Sequence, residues 1–365
     1  MSYRAAVFHW TFERVGGGEI LASYLGKALG CKVYCFGKSK LGFEDLTPYV
    51  PSYIRFLKRI RSLEYLLWSS IDLTDLGDFD VIVSSGATPR AIVTPENVMH
   101  VNYCHSPPRW LYDLWGFRRK NYKSGKFLAL IAEMLRVWDV SVDKRVDYYF
   151  VNSEIIKRRL WKYLKRDSVV LYPPVETNKY RNREPEDFIL FLSRLEPEKR
   201  VELAIRACMR AGKKIVVAGT GTLESRLRKK YPNVEFTGFV DEKTKIDLLS
   251  RCKAVVFPAI SEDFGIVPIE ALASGKPVIV CDGGFPPVLL RKTGLIDKDG
   301  VIGVYTGGIV SPAEEQYLAR SVELVDRYEW DPEKLMDVAR QFDYSVFKSK
   351  LHEQIKVWLE EFRAL

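Results

Sequence analysis

The chain has 365 residues, of which 47% are hydrophobic, and this is enough for roughly two packed domains. Its formal net charge is +9, and the excess lies in the first half, where residues 1–170 hold 26 Lys and Arg against 17 Asp and Glu. With no nucleic-acid motif beside it, this basic half favours an anionic membrane surface over nucleic acid as a partner. No run of about 18 uncharged apolar residues occurs, which argues against a membrane-spanning helix.

The termini and the cysteines indicate the compartment. Only four residues precede the first apolar strand, too few for a signal peptide. The six cysteines are scattered without zinc-like spacing, a pattern typical of buried thiols in a reducing environment. We therefore expect a cytoplasmic protein, with a peripheral position on the inner face of the cell membrane as an open alternative.

The first half alternates between strand and helix patterns. A loop with Gly16, Gly17 and Gly18 precedes a predicted helix over Ile20–Leu29. The predicted strands are Ala5–His9, Lys32–Phe36, Val81–Ser84, His100–Cys104 and Tyr148–Asn152. This alternation predicts a parallel sheet with helices on both faces.

The second half repeats the pattern after the stiff Pro173-Pro174 segment, which we interpret as a hinge. Its predicted strands are Phe188–Leu192, Lys214–Ala218, Val234–Thr237, Ala254–Pro258, Val278–Cys281 and Gly303–Tyr305. Its predicted helices are Lys199–Ala211, Leu223–Lys230, Asp241–Arg251, Ile266–Ala273 and Glu314–Asp326. The chain is thus predicted to be α/β, with domains at 1–171 and 172–342 and an amphipathic helix over 343–365.

The most informative segment is the one in which the predicted strand Ala254–Pro258 passes through a short loop into a helix. Glu262 lies in the loop, and Glu270 follows it on the helix after seven intervening residues. The first amides of a helix have no intrahelical partner, and the helix dipole favours an anion there. We predict that these amides face a diphosphate, that Glu262 reaches a sugar and that Glu270 accepts from a ribose hydroxyl pair. The predicted contacts at the helix start are Phe264, Gly265, Ile266 and Val267.

The residues around this segment carry a family resemblance. From Glu270 the sequence continues as Glu-Ala-Leu-Ala-Ser-Gly-Lys-Pro-Val-Ile. With the Glu-x7-Glu spacing and the Phe-Gly pair, it resembles the signature of the retaining glycosyltransferases of family 4, also called group 1. The resemblance implies a GT-B fold, in which two Rossmann-like doubly wound domains face each other across a cleft and the C-terminal helix crosses back onto the first domain. The spacing alone would be weak, since a surface helix with two solvated acids also has it.

The resemblance also implies roles for two cations and a turn in the second domain. Arg194 and Lys199 match the Arg and Lys that meet the leaving diphosphate, although an ion pair at a helix start is the alternative. Fixed cations would stabilise charge that develops on the departing phosphate. Gly238 and Phe239 match the turn whose backbone contacts the base. Gly219-Thr220-Gly221 begins like a dinucleotide fingerprint, but the third glycine is missing, which disfavours an NAD-dependent oxidoreductase.

In the first domain, Gly17 and Gly18 would let the backbone approach a phosphate or sugar closely, unless the loop is a plain turn. His105 follows a predicted strand, and similar enzymes use a His here to contact the donor sugar. A satisfied core histidine is the alternative. Asp139 lies in a stretch that resembles enzymes of surface polysaccharide synthesis and is a candidate acceptor contact.

No metal and no other cofactor are expected. Asp78-Phe79-Asp80 matches the acidic motif of metal-dependent transferases but precedes a predicted strand, at the wrong edge of the sheet. Asp297-Lys298-Asp299 is interpreted as part of a glycine-rich loop. Arg194, Lys199 and the helix start would take over the electrostatic role of a metal.

Two basic stretches with aromatic residues, at 51–73 and 115–123, are candidate contacts with an anionic membrane surface. An ordinary helix that packs on the core explains them equally well. The hypothesis for the whole chain is a retaining, metal-independent hexosyltransferase. It would move mannose, with GDP-mannose favoured as donor, to a lipid-linked or polysaccharide precursor. The alternatives are the same fold with UDP- or ADP-glucose and a soluble acceptor, or a silent nucleotide-binding module.

Overall fold

A computed structural model describes residues 3–10, 16–59, 64–116 and 123–364, without the side chains of 58–59 and 123–131. The chain divides into two compact units, one of Met1–Pro173 with Phe347–Leu365 and one of Pro174–Val346. The observed division thus falls two residues after the predicted one, and the chain returns to the first unit at Phe347 rather than at residue 343.

The first unit is built on a parallel sheet of seven strands in the order β3-β2-β1-β4-β5-β6-β7. The strands are β1 Ala5–His9, β2 Val33–Cys35, β3 Glu44–Asp45, β4 Val81–Ser85, β5 Met99–Cys104, β6 Tyr148–Val151 and β7 Val169–Val170. The helices described in it are α1 Gly17–Leu29, α2 Glu64–Ser69, α3 Lys123–Asp143 and α4 Glu154–Leu164. Every residue of β4 and β5 is buried, as expected for strands that are covered on both faces.

The second unit contains an eight-stranded sheet in the order β10-β9-β8-β11-β12-β15-β14-β13. Its strands are β8 Ile189–Leu192, β9 Ile215–Ala218, β10 Glu235–Gly238, β11 Ala254–Phe257, β12 Val278–Cys281, β13 Leu295–Asp299, β14 Ile302–Tyr305 and β15 Gly308–Ser311. Its helices are α5 Val201–Arg210, α6 Glu224–Lys230, α7 Glu242–Arg251, α8 Ile266–Ala273, α9 Phe285–Lys292, α10 Glu315–Leu324 and α11 Pro332–Arg340.

The sheet of the second unit departs from the predicted all-parallel arrangement at one edge. Strand β14 runs antiparallel to both β13 and β15. The connections between these strands are too short for a crossover helix, and such short connections join antiparallel strands. Asp297 and Asp299 therefore lie on β13, and the prediction that they belong to a glycine-rich loop was wrong.

The last helix, α12 Tyr344–Ala364, packs on the sheet of the first unit. Trp358 stacks on Tyr148 with ring centroids 4.8 Å apart and lies 4.6 Å from the ring of Phe150. His352 hydrogen-bonds the Tyr3 hydroxyl at 2.8 Å. The chain thus begins and ends in the same unit. No helix in the described ranges is both long and apolar enough to cross a bilayer.

In each sheet the strand order reverses next to the first strand of the unit. The reversal lies between β1 and β4 in the first unit and between β8 and β11 in the second. At such a point the loops after the two strands diverge to opposite faces, which leaves a crevice at the carboxyl ends of the strands. Each unit therefore has one position where ligand-binding residues are expected.

Candidate functional site

At the reversal in the second unit, the loop after β8 meets the loop after β11 through an ion pair. The ammonium of Lys199 donates to Glu262 Oε2 at 2.5 Å, and both side chains are largely buried. The same Nζ lies 5.6 Å from the centroid of the Phe257 ring, a cation–π contact. Two predicted site residues that are 63 positions apart are thus brought together.

The backbones of these two loops are also joined. The N–H of Ile260 donates to the carbonyl of Glu198 at 2.9 Å. Two non-glycine residues flank the ion pair in left-handed conformation, Arg200 with φ 52° and Ser261 with φ 45°. Such conformations are costly for residues with a Cβ and persist where the surroundings impose them, often at functional sites. The loops are therefore held in one arrangement around the Lys199 ammonium.

The helix α8 begins beside this ion pair without a capping side chain. Its N-cap is Gly265, with φ 83°, and no side-chain hydrogen bond caps the helix. Gly284 supports the loop from behind, because a Cβ there would lie 2.2 Å from the carbonyl oxygen of Glu262. Ile266 and Val267 are half-buried. The predicted anion site at this helix start is consistent with the geometry and stays a prediction.

Glu270, the predicted ribose contact, is buried and already has two partners. The Tyr180 hydroxyl donates to its Oε1 at 2.7 Å, and the ammonium of Lys245 donates to the same oxygen at 2.6 Å. Burial alone would lower the pKa of Lys245, but the carboxylates of Glu270 and Glu242 outweigh it and raise that pKa above its ordinary value. The Glu270 carboxylate is therefore held in one orientation by a charge and a hydroxyl.

The other predicted residues of this unit differ in their exposure and in their partners. Arg194 is 71% exposed and approaches Glu198 at 3.6 Å, so the helix-start ion pair considered from the sequence is present in the structure. Gly238 accepts from the Gly219 N–H at 2.8 Å. Phe239 is 80% exposed. The Phe264 ring is buried, so only its backbone can face a ligand.

The first unit gathers a second polar cluster, at the ends of β1, β4 and β5. Ser85 Oγ lies 3.0 Å from His9 Nδ1 and 2.9 Å from His105 Nε2, so it bridges the two rings. Desolvation within the cluster, and then the neighbouring His9, lower the pKa of His105 to about 3. Burial likewise lowers the pKa of His9 below its ordinary value, although Glu19 opposes that shift.

The glycine segment lies against this cluster. Helix α1 begins at Gly17, so Gly17 and Gly18 belong to its first turn, and their predicted place in a loop was wrong. The helix extends this far because Glu19 Oε2 accepts from the N–H of Gly16 at 2.9 Å. A Cβ on Gly18 would lie 3.5 Å from His9 Cε1 and 3.8 Å from His105 Cε1.

Asp139, the candidate acceptor contact, has a structural role instead. It is fully buried and forms an ion pair with Arg90, and it also accepts from the hydroxyls of Tyr65 and Tyr112 at 2.8 and 2.9 Å. A buried charge requires such partners. The sequence-based hypothesis was wrong because an acid on a helix has no local sign of whether it faces solvent.

The acidic pair Asp78 and Asp80 lies before β4, and both residues contact Arg4. Within the described ranges, no group of three His, Cys, Asp or Glu side chains could hold a metal ion. Metal independence is not tested by this finding and stays a prediction.

Each of the two units contributes residues to its own cluster that the sequence did not identify. His9, Ser85, Tyr180 and Lys245 all hydrogen-bond a predicted site residue or its partner. His9 and Ser85 are the last residues of their strands, so a search for polar residues at strand ends would have found them. No comparable signal marks Tyr180 or Lys245.

Comparison with known proteins identifies relatives of the second unit. Residues 174–340, which make up most of the second unit, match the family model described as Glycosyl transferases group 1. Over 150 residues the chain is 29% identical to an O-antigen chain mannosyltransferase of Escherichia coli. The aligned region covers 39% of this chain and 38% of that protein. Over 167 residues the chain is 37% identical to an uncharacterized glycosyltransferase of Methanocaldococcus jannaschii, covering 41% and 43%. The chain thus spans less than half the length of these two relatives.

A solved structure extends the likeness to the first unit. The Anabaena protein HepE, in complex with UDP and glucose, superposes with a TM-score of 0.69 at 16% identity and covers 97% of this chain and 100% of that one. At this identity the likeness concerns the fold alone. The predicted α/β class and GT-B fold are confirmed.

We expect that replacing Lys245 by Met will lower the free energy of unfolding by about 3 kcal/mol, because it leaves the buried Glu270 carboxylate without its cation. Unfolding in urea, followed in the full chain, measures the change.

The matched control is Lys243→Met on the same helix, at an exposed position, where a change within about 0.5 kcal/mol is expected. The double variant Lys245→Met with Glu270→Gln should recover part of the loss. Equal effects of the two lysine substitutions would show that the Lys245–Glu270 pair adds nothing.

Proposed function

We propose that the chain is a glycosyltransferase that moves a hexose from a nucleotide diphosphate sugar to a lipid-linked or polysaccharide precursor, with retention of configuration and without a metal. The observation that carries the proposal is the Lys199–Glu262 ion pair at the strand reversal of the second unit. It lies beside an uncapped helix start, and the residues around it match the group 1 glycosyl transferases.

The chemistry follows from the donors that this arrangement offers. The Lys199 ammonium has three N–H donors, and the contact with Glu262 uses one. The remaining donors and the first amides of α8 can bind the two phosphates as the sugar departs. A fixed cation and fixed dipoles need little reorganisation when negative charge develops on the leaving group.

Retention is proposed to proceed by front-side attack, in which the leaving phosphate accepts the proton of the acceptor hydroxyl. A double displacement would instead need a carboxylate nucleophile beneath the sugar. Glu262 is engaged by Lys199, which favours an orienting role for it over a nucleophilic one.

Mannose from GDP-mannose is the favoured substrate, because the second unit is similar to an O-antigen chain mannosyltransferase. A glucose donor with a UDP carrier is the second candidate, favoured by the fold shared with a protein solved with UDP and glucose. A silent nucleotide-binding module is disfavoured, since Lys199 and Glu262 are present and paired.

The acceptor is proposed to be reached at an anionic membrane surface through the first unit. In the stretch 51–73, Leu67 and Trp68 are buried core residues, whereas Tyr53 and Phe56 are 77% and 61% exposed. Packing on the core thus accounts for Leu67 and Trp68, and Tyr53 and Phe56 are the side chains proposed to contact the membrane. Most of the stretch 115–123 lies outside the described residues.

The first expected outcome concerns turnover. Lys199→Ala and Arg194→Ala should each lower kcat by about 10²–10³, the usual loss when one transition-state charge partner is removed. Release of nucleoside diphosphate from the nucleotide sugar measures it.

Lys214→Ala is the control, because this exposed lysine of the same unit pairs only with Glu235 among the described residues. Unchanged transfer by both Lys199→Ala and Arg194→Ala would refute the assignment.

The second expected outcome concerns the nucleotide. In a melting-temperature series with GDP, UDP, ADP and their sugars, GDP-mannose should raise Tm most, because a ligand that binds only the folded state stabilises it. Glu270→Gln should lose most of the rise, while Glu235→Gln keeps it.

The same rise is expected in the presence of EDTA. A rise that needs a divalent ion would contradict metal independence, and a larger rise with UDP-glucose would favour the second candidate.

The third expected outcome concerns the membrane. The full chain should cosediment with anionic vesicles less strongly as salt rises, because salt screens the attraction. Tyr53→Ser with Phe56→Ser should reduce binding about tenfold, the loss expected when buried aromatic area is removed.

Met209→Ser, at an exposed apolar position in the second unit, is the control. Equal binding to neutral and anionic vesicles would count against the membrane proposal.

A further inference from the structure

The polar cluster at the strand reversal of the first unit contains a continuous series of ring nitrogens and oxygens. It runs from His9 through Ser85 to His105, and the Glu19 carboxylate lies 3.8 Å from the other ring nitrogen of His9. Three of these residues lie at the ends of neighbouring strands, and Glu19 lies in the first turn of α1. Because Ser85 Oγ contacts a nitrogen of each ring, the position of its hydroxyl proton decides which nitrogen of each neutral ring carries a proton.

Ser85 has one hydroxyl proton and contacts a ring nitrogen on each side. It can therefore donate to only one of the two rings and must accept from the other. Two arrangements satisfy this condition. In one, Ser85 donates to His9, and His105 donates to Ser85. In the other, both directions are reversed.

Glu19 distinguishes the two arrangements. His9 Nε2 is buried without a hydrogen bond, and the nearest charged group is Glu19 Oε1 at 3.8 Å, which is also buried without a hydrogen bond. A bare ring nitrogen facing a carboxylate oxygen would place two lone pairs against each other in a low-dielectric interior. A proton on Nε2 instead directs a positive dipole at the carboxylate.

The ionised state of Glu19 supports this choice. Burial alone would raise the pKa of Glu19, but contacts with His9 and with the N–H of Gly16 lower it below its ordinary value. Glu19 is thus a carboxylate at neutral pH. Its Oε2 is fixed by the Gly16 N–H at 2.9 Å, which leaves Oε1 for His9.

With the proton of His9 on Nε2, its Nδ1 accepts from the Ser85 hydroxyl. Ser85 Oγ then accepts from Nε2–H of His105. We propose that Glu19, His9 and Ser85 are positioning residues that hold the proton of His105 on Nε2 and leave its Nδ1 as a bare acceptor for a hydroxyl group of the bound sugar. None of the described residues hydrogen-bonds Nδ1 of His105. The identity of the hydroxyl donor rests on the proposed function, whereas the proton arrangement does not.

The first test reads the proton positions directly and needs no substrate. The chain has four histidines, so the ring nitrogens of the full-length protein can be resolved by two-dimensional ¹⁵N–¹H NMR and assigned from single substitutions. At neutral pH, His9 and His105 should each show a protonated Nε2 and a bare Nδ1. A proton on Nδ1 of His105 would overturn the proposal.

Substitutions then test the connection between the residues. Ser85→Ala should leave His105 as a mixture of both tautomers, and Ser85→Thr, which keeps the hydroxyl, should restore the single form. Glu19→Gln should disturb the His105 signal although it does not touch that ring. The matched control is Ser84→Ala, because the Ser84 hydroxyl bonds Nε2 of His100, whereas the hydroxyl at Nε2 of His105 is that of Ser85. An unchanged tautomer in both Ser85→Ala and Glu19→Gln would overturn the series.

A binding measurement tests the hydroxyl donor. Ser85→Ala should weaken binding of the nucleotide sugar about tenfold, the loss of one hydrogen bond to a buried group, and leave affinity for the free nucleoside diphosphate unchanged. Equal loss for both ligands, or for neither, would contradict the sugar contact. If no nucleotide sugar binds the unsubstituted chain, the proposed function fails, and the NMR result still decides the proton arrangement.

Discussion

The order of the strands in each sheet reverses beside the first strand of the unit, and this reversal governs where polar side chains collect. Loops after β8 and β11 diverge from neighbouring strand ends, as do those after β1 and β4. In the second unit the gap contains a lysine and a glutamate, and in the first it contains two histidines joined by a serine. Apolar burial builds both sheets, but topology alone decides which of their residues stay available for chemistry.

The charged groups at these positions are held before any ligand arrives. Lys199 is fixed by Glu262 and by the Phe257 ring, and Glu270 is fixed by Lys245 and Tyr180. Held charges lose little freedom on binding, so more of the interaction energy remains for the ligand. The two left-handed residues at the loops are consistent with this, since a relaxed loop would avoid them. The second unit thus combines rigid charges with a helix start that has no side-chain cap.

The sequence predicts the bounds of single helices and strands better than it predicts which distant residues contact one another. Helix α8 and strand β12 have the bounds that the sequence predicts, because each is a continuous apolar segment with turn residues at its ends. The antiparallel edge was not predicted, since β13 is polar along most of its length and resembles a loop. The partners of Glu270 come from 25 and 90 positions away, where no motif connects them to it. Asp139 shows the reverse error, since an acid beside a Trp on an amphipathic helix gave no sign of its burial against Arg90. The family resemblance thus suggested roles for individual residues, whereas the residues that contact them became known only from the fold.

All four histidines of the chain belong to the first unit, and none lies between Pro174 and Val346. For His9, His100 and His105, burial lowers the pKa, to about 3 in the last two. In an unfolded chain these rings would become protonated below about pH 6.5, whereas in the folded unit they stay neutral until the pH is much lower. Their contribution to stability is therefore complete above the ordinary histidine pKa and declines as the medium becomes acidic. Mild acidification therefore lowers the stability of the first unit through its histidines. The second unit has no histidine and is not destabilised in this way.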